Sequence, residues 1–181
     1  MRVFISGGTR EGVLNAYKEL ASNVATVCAR KGLKLVFNGI DTGLMGTTYM
    51  TYKYEGGKVK GFYDITNAGY QERLELDASD ISPTTFDMAN KLYKHANLII
   101  ILPGSFETLS SFFSMINEKI VKNDDKKIVL FNYDNYYDKL LYQIKYMIDE
   151  KFLDPNLLNM FDIVTNIDEF NKLMNEIEGE D

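Results

Sequence analysis

Short apolar stretches alternate along the chain with longer segments whose apolar positions recur every three or four residues. Val3 to Ser6 is a compact apolar run and reads as a strand. From Leu14 the positions Leu14, Tyr17, Ala21, Val24 and Cys28 share one helical face, which predicts a helix ending at Gly32. Leu33 to Phe37 follows as a strand, Leu44 to Tyr54 as a helix stopped by Gly56 and Gly57, and Lys58 to Phe62 as a third strand. Between Asp64 and Ser82 no period is strong and polar turn residues abound. That predicts a loop with at most a short strand near Leu74 and Leu76, and long loops of this kind often carry function. Pro83 suits an early helical position, and its helix runs to about His95. Leu98 to Leu102 is apolar at every position, as in a central strand covered by helices on both faces. A helix from about Thr108 to Val121 and a strand over Ile128 to Phe131 come next. A helix carrying Leu140, Leu141, Ile144, Met147 and Ile148, a strand over Asp162 to Thr165 and a helix over Ile167 to Ile177 lead to a frayed acidic end.

Strand and helix alternate throughout, so the expected fold class is α/β: one domain over residues 1–181, a doubly wound, Rossmann-like parallel sheet with helices on both faces. In such sheets ligands lie beyond the carboxyl ends of the strands. Three turns containing glycine fall there: Gly7 and Gly8 with Thr9 and Arg10, then Gly39 to Gly46 with Asp41 and Gly43, then Pro103 and Gly104 with Ser105. Any one of them can be explained as a tight strand-to-helix connection. Their convergence at helix N-termini favours a phosphate-bearing ligand held by main-chain N–H groups.

Composition narrows the chemistry. At 181 residues with 45% hydrophobic content, the chain can bury a sizeable core. The net charge of -6, with Arg2, Arg10, Arg30 and Arg73 scattered, offers no basic stripe for nucleic acid or anionic lipid, so a small molecule is the expected partner. No apolar run reaches the length of a membrane span, and Gly7 and Gly8 interrupt the first one, which points to a cytoplasmic protein without a signal peptide. The single cysteine, Cys28, and the single histidine, His95, exclude an internal disulfide and argue against a metal centre or a Ser-His pair.

Two stretches carry a family resemblance. Leu35-Val36-Phe37-Asn38-Gly39-Ile40-Asp41-Thr42-Gly43-Leu44-Met45-Gly46 resembles the glycine-rich segment of the LONELY GUY (LOG) family, and Gly56-Gly57-Lys58-Val59-Lys60-Gly61 follows at the matching distance. Ala96 to Gly104 is similar to the strand that leads into that family's Pro-Gly-Gly-x-Gly-Thr-x-x-Glu motif, and the order of elements agrees over nearly the whole chain. The resemblance implies a homodimer without a cofactor. It also implies a phosphoribohydrolase, which cleaves the N-glycosidic bond of a nucleoside 5′-monophosphate to a free base and ribose 5-phosphate.

The motif is only partly kept. Pro103, Gly104 and Thr108 match, whereas Ser105 and Glu107 stand at its second and third glycines and Ser111 at its closing catalytic glutamate. The family's catalytic arginine and its following lysine fall on Met88 and Ala89. A carboxylate stabilises the oxocarbenium-like state of glycosidic cleavage and can activate water, which serine does poorly. Two readings follow from these residues: a hydrolase whose carboxylate has moved, with Glu107 as the candidate and Arg10 replacing the arginine, or a binder that has lost the chemistry. A noncatalytic subunit of an assembly is a third. Asp41, Asp87 and Glu118 are alternative carboxylates, although Glu118 lies about two turns beyond Ser111. Each site residue also has a plainer role: Glu107 opposite the helix dipole, Asp41 as a turn cap, Arg10 in solvent, Met88 and Phe106 as core and not a base slot. Thr9 and Thr108 are candidate hydroxyl donors to phosphate.

Overall fold

A computed structural model describes residues 1–66, 68–69 and 74–179; Arg73 and the last two acidic residues lie outside them. Its seven strands are β1 (Arg2–Ser6), β2 (Lys34–Phe37), β3 (Val59–Asp64), β4 (Ala78–Ser82), β5 (Leu98–Ile101), β6 (Lys127–Phe131) and β7 (Asp162–Val164). They form one sheet in the order β4-β3-β2-β1-β5-β6-β7, and every pairing is parallel. The helices are α1 (Asn15–Arg30), α2 (Gly43–Tyr54), α3 (Thr85–His95), α4 (Phe106–Lys122), α5 (Asp138–Asp149) and α6 (Ile167–Gly179).

The alternation of side chains along each strand splits the core into two layers. Val3, Ile5, Leu35, Leu98, Ile100 and Val129 face α1, α2 and α6, while Phe4, Val36, Ile99, Ile101 and Ile128 face α3, α4 and α5. Cys28 is fully buried on the first side, and burial pushes its thiol up to about 12, consistent with an inert core residue. No helix among the described residues is long and apolar enough to cross a membrane.

Two sequence expectations are corrected. The segment from Asp64 to Ser82 contains a full strand, β4, but at Ala78–Ser82 and not near Leu74 and Leu76. It is an edge strand with its outer side in solvent, so its sequence is mostly polar and lacks the apolar run that marks interior strands. Pro83 precedes the helix rather than opening it. Thr84 caps α3, its hydroxyl accepting from the Asp87 amide at 3.1 Å.

His95 ends α3 half-buried against the Phe62 ring, with centroids 5.0 Å apart. Desolvation, then Lys60 and Arg2, hold its imidazole below the usual histidine value. The folded protein therefore resists protonation at this site more than the unfolded chain. Stability from this group is complete above about pH 6.5, the unfolded value, and is lost as pH falls through the lower folded value. Thermal unfolding measured from pH 7 down to pH 5 is expected to show a smaller decline in His95→Gln than in the wild type. Equal declines would remove His95 as the cause.

Candidate functional site

The sheet order reverses between β1 and β5, and the first and third glycine turns leave the carboxyl ends of these two strands. Main-chain bonds join them: the Leu102 amide donates to the Ser6 carbonyl at 2.7 Å and the Gly8 amide to the Pro103 carbonyl at 3.0 Å. Gly104 permits this approach, since a β-carbon there would lie 2.0 Å from the Thr108 hydroxyl and 2.9 Å from the Gly8 nitrogen. Thr108 is thus a buried prop of the turn.

The second turn is drawn onto the first. The Leu44 amide donates to the Gly8 carbonyl at 2.8 Å, the Gly43 amide to the Glu11 carboxylate at 3.1 Å, and the Thr42 hydroxyl to the Thr9 carbonyl at 2.7 Å. The Gly43 N–H, and then Lys18, lower the Glu11 pKa. Two amides at the start of α2 are therefore spent inside the protein. Gly39 packs on the Tyr63 ring and Gly46 on the Asp41 carbonyl. Gly39, Asp41, Gly43 and Gly46, expected at the ligand, line neither of the two cavities that flank the start of α4.

The first cavity, ≈ 360 Å³, lies on the α1 side. Gly8, Thr9, Arg10, Pro103, Gly104 and Ser105 of the first and third turns line it, together with Gly12, Val13, Leu14, Tyr17, Leu44 and Tyr136. Gly7 sits beneath, buried against Leu44 and Leu102. Arg10 is exposed and, among the described residues, makes no hydrogen bond or ion pair. Ser105 is the N-cap of α4, and its side chain does not cap the helix. The two turns present a cation, hydroxyls and main chain to this cavity, a combination that can take an anion.

The second cavity, ≈ 430 Å³, opens on the α3 and α4 side. Met88, Ala89 and Ser111, onto which the resemblance carries the family's arginine, lysine and glutamate, all line it, together with Phe106, Leu92, Met115, Asn38 and Glu107. Met88, Leu92 and Met115 are buried, so its floor is apolar. Among the described residues, Glu107 is the only ionisable one in this lining. It is exposed and, among the described residues, unpaired. The other candidate carboxylates are elsewhere: Asp87 accepts from the Thr84 hydroxyl at 2.6 Å within the helix cap, and Glu118 pairs with Lys122.

Sequence reasoning thus assembled the polar residues of the first cavity, and Met88 with Phe106 in the second. It missed Val13, Leu14, Tyr136 and the lining role of Tyr17. Tyr136 follows β6, which neighbours β5, so the signal was its place just beyond a strand end on the ligand edge of the sheet.

Comparison with known proteins agrees with this frame. The family model described as possible lysine decarboxylase matches residues 45–174. The chain is 29% identical over 167 residues to the cytokinin riboside 5′-monophosphate phosphoribohydrolase LOG5 of Arabidopsis thaliana, covering 88% of this chain and 71% of that one. It is 31% identical over 156 residues to the cytokinin riboside 5′-monophosphate phosphoribohydrolase of Rhodococcoides fascians, covering 82% and 76%. Among solved structures, the molybdenum cofactor binding protein of Rippkaea orientalis superposes with a TM-score of 0.69 at 16% identity, over 97% and 96% of the two chains, which is a likeness of fold.

Proposed function

Because the chain belongs to the LOG family, whose model is described as possible lysine decarboxylase, we propose that it binds a nucleoside 5′-monophosphate and no longer hydrolyses it by the family's arginine and glutamate. The observation that carries this reading is the second cavity, where Met88, Ala89 and Ser111 converge on an apolar floor. Glycosidic cleavage develops positive charge on the sugar, and a fixed carboxylate opposite that charge is the main source of rate. Loss of one such preorganised group costs about 100- to 1,000-fold in rate, and here two are replaced. The phosphate end, in contrast, draws on Arg10, Thr9, Gly8, Gly104 and Ser105 of the first cavity. Decarboxylation through a lysine Schiff base has no support, because among the described residues no lysine lines either cavity.

One observation favours a second reading. Glu107 reaches the rim of the second cavity unpaired, so a hydrolase with a relocated carboxylate would use this residue. Incubation with the common nucleoside 5′-monophosphates, followed by chromatography for free base and ribose 5-phosphate, separates the two. The expected result is calorimetric binding with no release of base. Release that disappears in Glu107→Gln would establish the hydrolase instead.

A further inference from the structure

We infer that the base of the bound nucleotide lies on the α1 side of the sheet, against Tyr136 and Tyr17, and not in the cavity that holds Met88 and Ser111. The inference rests on the nucleotide-binding reading above and assigns that ligand an orientation. Tyr136 is a ring fixed in place and left half open. Its hydroxyl donates to the Gly104 carbonyl at 2.7 Å, its edge meets Tyr17 with centroids 5.9 Å apart at 76°, and it meets Tyr137 at 4.9 Å and 89°. It is nevertheless 45% exposed. An aromatic face held this way can stack a planar base with little further loss of side-chain freedom.

The lining of the cavity also includes Leu14, which is 71% exposed, an apolar surface that a base would cover. Arg10 and the two turns line the same space. One cavity thus supplies a partner for a dianion and a partner for a flat, weakly polar ring. Among the described residues the second cavity has no cation, and the one ionisable group in its lining is a carboxylate that repels phosphate. With the base on the α1 side, the glycosidic bond stays away from Met88, Ser111 and Glu107.

The test compares adenosine 5′-monophosphate with ribose 5-phosphate, which keeps the phosphate and lacks the base, by calorimetry on the full chain. The wild type is expected to bind the nucleotide about tenfold or more tightly than the sugar phosphate. Tyr136→Ala should erase that advantage, so that the nucleotide and ribose 5-phosphate bind with about equal affinity. Tyr136→Phe should keep most of it. An independent reading comes from Leu14→Trp, which places a fluorophore at an exposed wall position of a chain that has no tryptophan. Its emission should respond to the nucleotide and not to ribose 5-phosphate. An advantage that survives Tyr136→Ala, or a variant that weakens both ligands equally, would overturn the placement of the base while leaving nucleotide binding in place. If neither ligand binds the wild type, the nucleotide reading itself falls and the placement falls with it.

Discussion

Gly43→Ala is expected to lower stability by about 3 kcal/mol or more and to displace the ligand turn. Two costs add. Gly43 has φ +59°, a left-handed conformation that costs a residue with a β-carbon about 1 kcal/mol or more. The added β-carbon would also lie 2.6 Å from the Thr9 carbonyl carbon and 2.7 Å from the Gly8 carbonyl oxygen, both main-chain atoms that cannot swing aside. Overpacking of this kind costs about 1–3 kcal/mol. For a chain of this length the sum corresponds to a fall of roughly 6–12 °C in Tm. Gly12→Ala is the control, because Gly12 has φ +81° with nothing within 4 Å of its would-be β-carbon. It should show only the conformational part. Equal losses in calorimetric scans of the two variants would mean that the close contact between the first and second turns contributes nothing.

Arg10→Ala is expected to weaken binding of a nucleoside 5′-monophosphate by about 2 kcal/mol, roughly thirtyfold, without a comparable change in Tm. The guanidinium stands unpaired at the rim of the first cavity, so no internal ion pair is broken by its removal. Hydrogen bonds to charged groups are worth about 1.5–3 kcal/mol, and exposure to solvent keeps this one from the upper end. Arg10→Lys should recover only part of the affinity, since an ammonium lacks the planar fork that matches two phosphate oxygens. Titration calorimetry at two salt concentrations checks both points: the loss in Arg10→Ala should shrink as salt rises. An unchanged affinity would leave the main-chain amides of the turns as the whole phosphate site.

The sheet was legible in the sequence where both faces of a strand are covered. Leu98 to Ile101 is apolar at every position and fully buried, and its central place followed from that. β4 was not legible, because Ala78-Ser79-Asp80-Ile81-Ser82 meets solvent on one side at the edge of the sheet. The convergence of the first and third turns was also legible, since both follow strands on the same edge. Which way side chains leave those turns was not. The sequence set the start of α4 near Thr108, whereas the helix begins at Phe106. A helix turns about 100° per residue, so with Phe106 and Glu107 inside it their side-chain directions follow from the helix and not from the turn. That decides whether Glu107 stands over the phosphate turns or, as observed, at the cavity with Met88 and Ser111. Tyr136 was missed for a different reason. It meets Gly104 from 32 residues away, and only the adjacency of β5 and β6 brings the two together.

The first turn of α4 lies between two cavities built from different material. Toward α1 it meets the peptide backbone of neighbouring turns, joined by the bond from Gly8 to Pro103. Toward α3 it offers side chains: Glu107, Ser110 and Ser111 opposite Met88 and Ala89. A change of codon rewrites a side chain and leaves a backbone amide where it was. The α3 side is therefore open to change by a few point mutations, while the main-chain frame of the α1 side is inherited with the fold itself.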